Sequence, residues 1–122
     1  MSDNREYLVY PDKKGTINIS EEVVASIAAS AASEVEGVAG LAAYRDKEPS
    51  ELSGKKSLTK GVKVDIGENR LVVELFILVK YGYPMNRVGA AVQEHVASVA
   101  DAMAGIKIDH VNVNVCGITM DK

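Results

Sequence analysis

The sequence predicts a single small α/β (α+β) domain of order β-α-β-β-α-β, with two helices packed on one face of a mainly antiparallel or mixed sheet. Three features predict it. Residues 24–38 and 88–103 place apolar side chains three and four apart, the spacing of a helix with one buried side. Four runs, beginning at Thr16, Gly61, Leu71 and Ile106, alternate apolar with polar residues or carry an apolar residue at every second position, as strands do. Between Ile66 and Leu71 the run Gly67-Glu68-Asn69-Arg70 has the chemistry of a tight turn, so the strands on either side of it form a hairpin.

In chain order, residues 1–14 read as a flexible arm in which Pro11 interrupts any strand, and the domain spans residues 15–119. After the strand at Thr16, Ser20 is placed to cap the first helix, and Glu21 and Glu22 sit where the positive end of the helix dipole favours carboxylates. Small residues at 25, 26, 28–30 and 31–33 make this helix narrow enough to approach a sheet closely, and Gly37 and Gly40 set its end. Residues 43–60, with Pro49, Gly54 and no apolar periodicity, read as a long flexible loop.

The strand at residues 71–81 is apolar on both sides. Leu71, Val73, Leu75, Ile77, Val79 and Tyr81 share one face, and Val72, Glu74, Phe76, Leu78 and Lys80 the other. Either this strand is central and covered twice, or its second face meets a partner. Val72, Phe76 and Leu78 are therefore the candidate protein-interaction residues, with Phe76 as the anchor. A second helix follows Pro84 and ends at Gly105. In the last strand the alternation changes phase between Ile108 and Val111, which predicts a bulge or break around Asp109 and His110.

Composition narrows the function. With 122 residues and 13.0 kDa the chain holds one core, burying roughly two thirds of the surface its unfolded form exposes. The longest run of large apolar residues, 75–79, falls far short of the ~20 needed to cross a bilayer. A formal charge of -3 and a pI near 5.4 argue against a whole-domain footprint for nucleic acid or anionic lipid. The first six residues lack the basic-then-apolar design of a secretory signal. A single cysteine, Cys116, forms no internal disulfide, in keeping with a reducing cytoplasm.

The supply of reactive groups is thin. His95 lies among Val92, Val96 and Val99 and reads as a structural histidine at a helix rim; His110 and Cys116 together supply two metal ligands where zinc takes three or four protein ligands. Cys116, between Val115 and Gly117, reads as a buried or half-buried small apolar residue with no activating partner. No phosphate-binding glycine loop and no nucleophile elbow is present. No catalytic residue, cofactor or metal is expected. Gly37-Val38-Ala39-Gly40 matches the G-x-x-G pattern that clamps a nucleotide backbone in some RNA-binding domains, although a helix-ending glycine accounts for it more simply. Within residues 43–63, six basic residues stand against three acidic ones, and Lys55, Lys56 and Lys60 form a candidate loop for an anionic partner, nucleic acid or lipid headgroup.

An ordered series of motifs now stands out: Gly15-Thr16-Ile17-Asn18-Ile19, the helix at residues 24–32, Val35-Glu36-Gly37-Val38-Ala39-Gly40-Leu41, Gly61-Val62, Tyr81-Gly82, Gln93 with Val96, and Val111-Asn112-Val113-Asn114-Val115-Cys116-Gly117. Jointly they resemble the alkaline shock protein family, the cell envelope stress response proteins of Gram-positive bacteria. The resemblance implies a non-enzymatic, cytoplasmic protein, often held near the membrane by a separate membrane-anchored partner. It implies a scaffold or interaction role in envelope and alkaline stress, with protein partners and self-association. The alternatives are a nucleic-acid-binding module using the basic loop, or a regulator of lipid synthesis, to which some small relatives are linked.

Overall fold

The computed structural model of the chain describes residues 7–42, 61–67 and 70–120. Its elements are β1 (Tyr7–Asp12), β2 (Gly15–Ser20), α1 (Glu21–Ser33), β3 (Val38–Leu41), β4 (Val62–Gly67), β5 (Arg70–Lys80), α2 (Met85–Ala104) and β6 (His110–Thr119). The predicted β-α-β-β-α-β series is present as β2-α1-β4-β5-α2-β6, and β1 and β3 are added to it. The sheet is mixed and the helices share one of its faces, as expected.

Everything in the main sheet pairs with β5. Along one side, β4 runs antiparallel from Val62 opposite Leu75 to Gly67 opposite Arg70, which is the predicted hairpin. On the same side, β3 continues antiparallel opposite Leu78 and Val79. The other side is taken by β6, parallel from His110 beside Val72 to Thr119 beside Lys80. Parallel pairing needs a crossover, and α2 supplies it.

One face of this sheet forms the core. Leu71, Val73, Leu75, Ile77 and Val79 of β5 are all no more than 2% exposed, and they pack with Val24, Ala25, Ala28, Ala31 and Ala32 of α1 and with Val88, Val92, Val96 and Ala100 of α2. The alanine side of α1 explains its closeness to the sheet, because each missing methylene lets the helix axis move inward. Among the described residues no polar or charged side chain is buried, so this layer is held by apolar packing.

Ser20 caps α1 as predicted, its Oγ accepting from the Val23 amide at 3.4 Å. The end of the helix is corrected. α1 stops at Ser33, whose hydroxyl turns back to donate to the Ala29 carbonyl at 2.9 Å, and Val35 and Val38 lie outside it. Gly37, at φ 99°, turns the chain into β3 rather than ending the helix. A side chain at Gly37 would sit 2.8 Å from Val88 Cγ2 and 2.9 Å from Tyr83 Cδ2, so the turn also depends on glycine for space. By contrast, α2 does end on a left-handed Gly105 at φ 69°.

The expectation that Pro11 interrupts any strand is likewise corrected, within the part of the predicted arm that is described, residues 7–14; residues 1–6 lie outside the described residues. Residues 7–12 form β1, paired antiparallel with β2 in a separate two-stranded ribbon that places Pro11 opposite Thr16. β1 pairs on one side only among the described residues, and such a strand tolerates proline because the missing N–H can face outward. Leu8 and Ile19 tie the ribbon to the core. The last strand begins at His110, so the phase change at Asp109 marks a break before β6. A bulge also occurs, further along: Cys116 is the extra residue between Val115 opposite Ile77 and Gly117 opposite Leu78.

Candidate interaction face

The second face of β5 carries the candidate residues. Because side chains alternate across a strand, the register places Val72, Glu74, Phe76 and Leu78 on the side away from the helices. All four are half-buried, whereas their neighbours on the helix side are closed off. Lys63 and Asp65 of β4 share this open face, opposite Glu74 and Val72. From β6 come His110, Asn112 and Asn114, level with Val72, Glu74 and Phe76.

These neighbours hold the row in place. Asn114 Nδ2 donates to Glu74 Oε2 at 3.4 Å and to the Leu75 carbonyl at 3.2 Å, fixing a polar border beside Phe76. At Gly117 an added Cβ would lie 3.1 Å from Leu78 Cδ2, so the leucine side chain occupies the space that the glycine leaves. The strand under Phe76 is anchored on its other side, where its amide donates to the Gly61 carbonyl at 2.9 Å and its carbonyl accepts from Ala42 at 2.8 Å. The result is an apolar centre of Val72, Phe76 and Leu78 with charged and amide side chains around it.

The other sequence candidates do not gather. Lys55, Lys56 and Lys60, the candidate anionic-partner loop, lie outside the described residues, as does the whole segment 43–60 read as a flexible loop. His95 is on the outer side of α2, its Nε2 2.8 Å from Glu34 Oε1, and the two side chains are 40% and 61% exposed. His110 starts β6 on the open face. Cys116 is exposed, contrary to the expectation of a buried or half-buried residue, because the bulge lifts it out of the alternation; its Sγ is 3.8 Å from the Asn114 carbonyl. Among the described residues no group of three or more His, Cys, Asp or Glu is placed to hold a metal ion. Gly37 and Gly40 fall in a turn and in β3 rather than in a loop joining two helices, so the nucleotide-clamp geometry is not formed.

Two polar residues with a clear role were not assigned one from sequence. Asp109 latches the start of β6 to β5: its Oδ2 accepts from the Leu71 amide at 2.8 Å and its own amide donates to the Leu71 carbonyl at 2.9 Å. Gln93 reaches from α2 to the Val111 carbonyl at 3.0 Å. The phase change at Asp109 and the position of Gln93 beside the Val92 and Val96 stripe were the available signals.

No helix among the described residues is long and apolar enough to cross a membrane. Of the solved structures similar to the chain, variants of the MamM C-terminal domain align over 80% of it and about 95% of their own length, with a TM-score of 0.49 and 15% identity. Two Bacillus subtilis proteins are closer in sequence. YqhY is 34% identical over 107 residues, 88% of this chain and 79% of that protein. YloU is 31% identical over 108 residues, 87% of this chain and 90% of that protein. A Streptococcus pyogenes protein is 32% identical over 109 residues, 87% of this chain and 89% of its own. Residues 10–120 match the model of a family described as having a cell envelope-related function. The chain therefore belongs to the alkaline shock protein family.

Proposed function

We propose that the protein is a non-catalytic interaction or scaffold protein of the cell envelope and alkaline stress response. In this reading it works in the cytoplasm, near the membrane through a membrane-anchored protein partner, and it self-associates. The observation that carries the reading is the second face of β5, where Val72, Phe76 and Leu78 are half-buried on the side opposite both helices. An apolar centre surrounded by Lys63, Asp65, Glu74 and Asn114 has the layout of a protein interface, in which the anchor desolvates and the border sets orientation. The family's relation to the cell envelope supplies the setting.

Reactive groups give no competing account. His95 is joined to Glu34 on the helix layer, while His110 and Cys116 sit on β6. General acid–base or nucleophilic chemistry needs such groups within hydrogen-bond reach of one another.

The test is the double substitution Phe76→Ser with Leu78→Ser in the full chain. Pull-down from cells under envelope or alkaline stress is expected to show reduced partner capture. Unchanged capture by a folded double variant would remove this face from consideration.

A further inference from the structure

We infer that the outer edge of β6 is a self-pairing surface, on which β6 of a second copy adds antiparallel about a two-fold axis at Asn114. This deepens the self-association in the proposed function by naming its contact, which is a strand edge rather than the open sheet face.

The orientation of the edge follows from hydrogen bonds. Tyr81 donates to the Thr119 carbonyl at 3.0 Å, so the backbone of Thr119 faces β5. Pairing of Asn112, Asn114, Gly117 and Thr119 with Glu74, Phe76, Leu78 and Lys80 puts these residues in one set, with the extra Cys116 absorbed at the bulge. Val111, Val113, Val115 and Ile118 form the other set, whose backbone groups point away from β5. Gln93 confirms this at Val111, because it takes the carbonyl from outside at 3.0 Å. Among the described residues no such partner reaches the outward N–H and C=O of Val113 or Val115. These two residues leave a hydrogen-bonding edge that only another extended strand matches in spacing.

The chemistry of the edge commits it to a copy of itself. Exposed strand edges are normally blunted by Lys, Pro or inward charges. The ten residues of β6 contain neither Pro nor any Lys, Arg, Asp or Glu, in a chain where a quarter of residues are charged. About a two-fold axis residue i meets residue j and j meets i, with only the residue on the axis meeting itself, and a strand without charges sets no like charges against each other in such a pairing. With the axis at Asn114, Val113 of one copy lies opposite Val115 of the other, and both outward residues are satisfied twice over. On the helix side this joins Val113 to Val115, the latter 37% exposed in the single chain. On the other side Asn114 meets Asn114. The bulge at Cys116 and the Gln93 contact at Val111 bound the pairing at its two ends.

A two-fold axis perpendicular to the sheet keeps both helix layers on one side. The two open faces then become one continuous surface carrying two rows of Val72, Phe76 and Leu78.

The experiment uses the full chain. Light scattering is expected to give twice the 13.0 kDa chain mass. In a Cys116→Ser background, Asn114→Cys is expected to form an intermolecular disulfide in most molecules on mild oxidation, because residues directly opposite at such a position have Cα atoms about 4.5 Å apart. Asn112→Cys in the same background lies four residues from its copy in register and is expected to stay near background. Asn114→Lys, which sets like charges against each other, and Val115→Pro, which removes an outward N–H, are each expected to give the single-chain mass while thermal unfolding reports an intact fold. Asn114→Lys decides if the proline variant fails to fold. A wild-type mass of one chain, or a dimer kept in both edge variants, overturns the edge pairing. A dimer lost in the edge variants and kept in Phe76→Ser with Leu78→Ser supports it, and partner capture by that last variant separately judges the open face.

Discussion

The two faces of β5 differ by one residue in register and by nearly everything else. Leu71, Val73, Leu75, Ile77 and Val79 are at most 2% exposed under the two helices, while Val72, Glu74, Phe76 and Leu78 remain half-buried. A strand rich in apolar residues on both sides thus spends one set on folding and leaves the other at the surface. Its hydrogen-bonding sides differ too: β4 and β3 share one, and β6 fills the other. Central position in a sheet and burial of both faces are separate properties, and this strand has the first without the second.

The largest effect that could break this contrast is at Leu75, which is fully buried. Leu75→Ala is expected to lower stability by about 2–5 kcal/mol, since it removes buried methylenes and leaves a cavity. Phe76→Ala, one residue along, is expected to cost clearly less in urea unfolding despite removing a larger side chain. Equal losses would mean that the open face is as much core as the covered one.

A second pair of positions sharpens the contrast at the level of the backbone. Gly37 and Gly82 have nearly the same dihedral, φ 99° and 100°, but Gly37 is pressed against Val88 and Tyr83 whereas nothing lies within 4 Å of the Cβ position at Gly82. Alanine at either position bears the left-handed strain, about 1–2 kcal/mol. Gly37→Ala should cost roughly another 1–3 kcal/mol for displacing packed atoms. Melting temperatures of the two variants give the difference directly, and equal values would show that Tyr83 and Val88 yield without cost.

Much of this was legible because the covered face obeys simple periodicities. The α1 and α2 stripes, the Ser20 cap, the hairpin at Gly67 and the two faces of β5 all follow from residues near one another in sequence. What was not legible depended on distant partners. β1 forms because β2 is there to pair with it, and Pro11 is tolerated at an edge that sequence alone does not identify. β3 is too short to show alternation, and its pairing with Val79 and Leu78 overrode the helical spacing of Val35 and Val38. Cys116 looked half-buried by alternation, and a bulge set by the pairing of β6 with β5 exposed it. For the site, the candidate row Val72, Phe76 and Leu78 was readable from alternation, but its border was not, since Asn114 and Gly117 reach it only through the parallel register.

Smaller effects belong to the helix layer. Ser20→Ala removes the oxygen that accepts from Val23, and a cap of this kind is worth about 1 kcal/mol. The loss should appear in urea unfolding, with the assembled mass unchanged because α1 lies on the covered side. A mass that fell with the cap would tie assembly to the helices and weaken the division between the two faces.

The smallest expected effect is at His95 and Glu34, which join α2 to the end of α1 across 2.8 Å. Their side chains are 40% and 61% exposed, so water and salt screen the contact and the gain is offset by the ordering of both side chains. A double-mutant cycle with His95→Ala and Glu34→Ala is expected to give a coupling of about 0.2–1 kcal/mol, shrinking as salt is raised if the pair is ionic. A coupling that holds in high salt would instead identify a hydrogen bond between neutral imidazole and carboxylate. A coupling well above this range would show that the outer surface of the helix layer shares the energetic weight that the contrast between the faces assigns to the apolar layer beneath it.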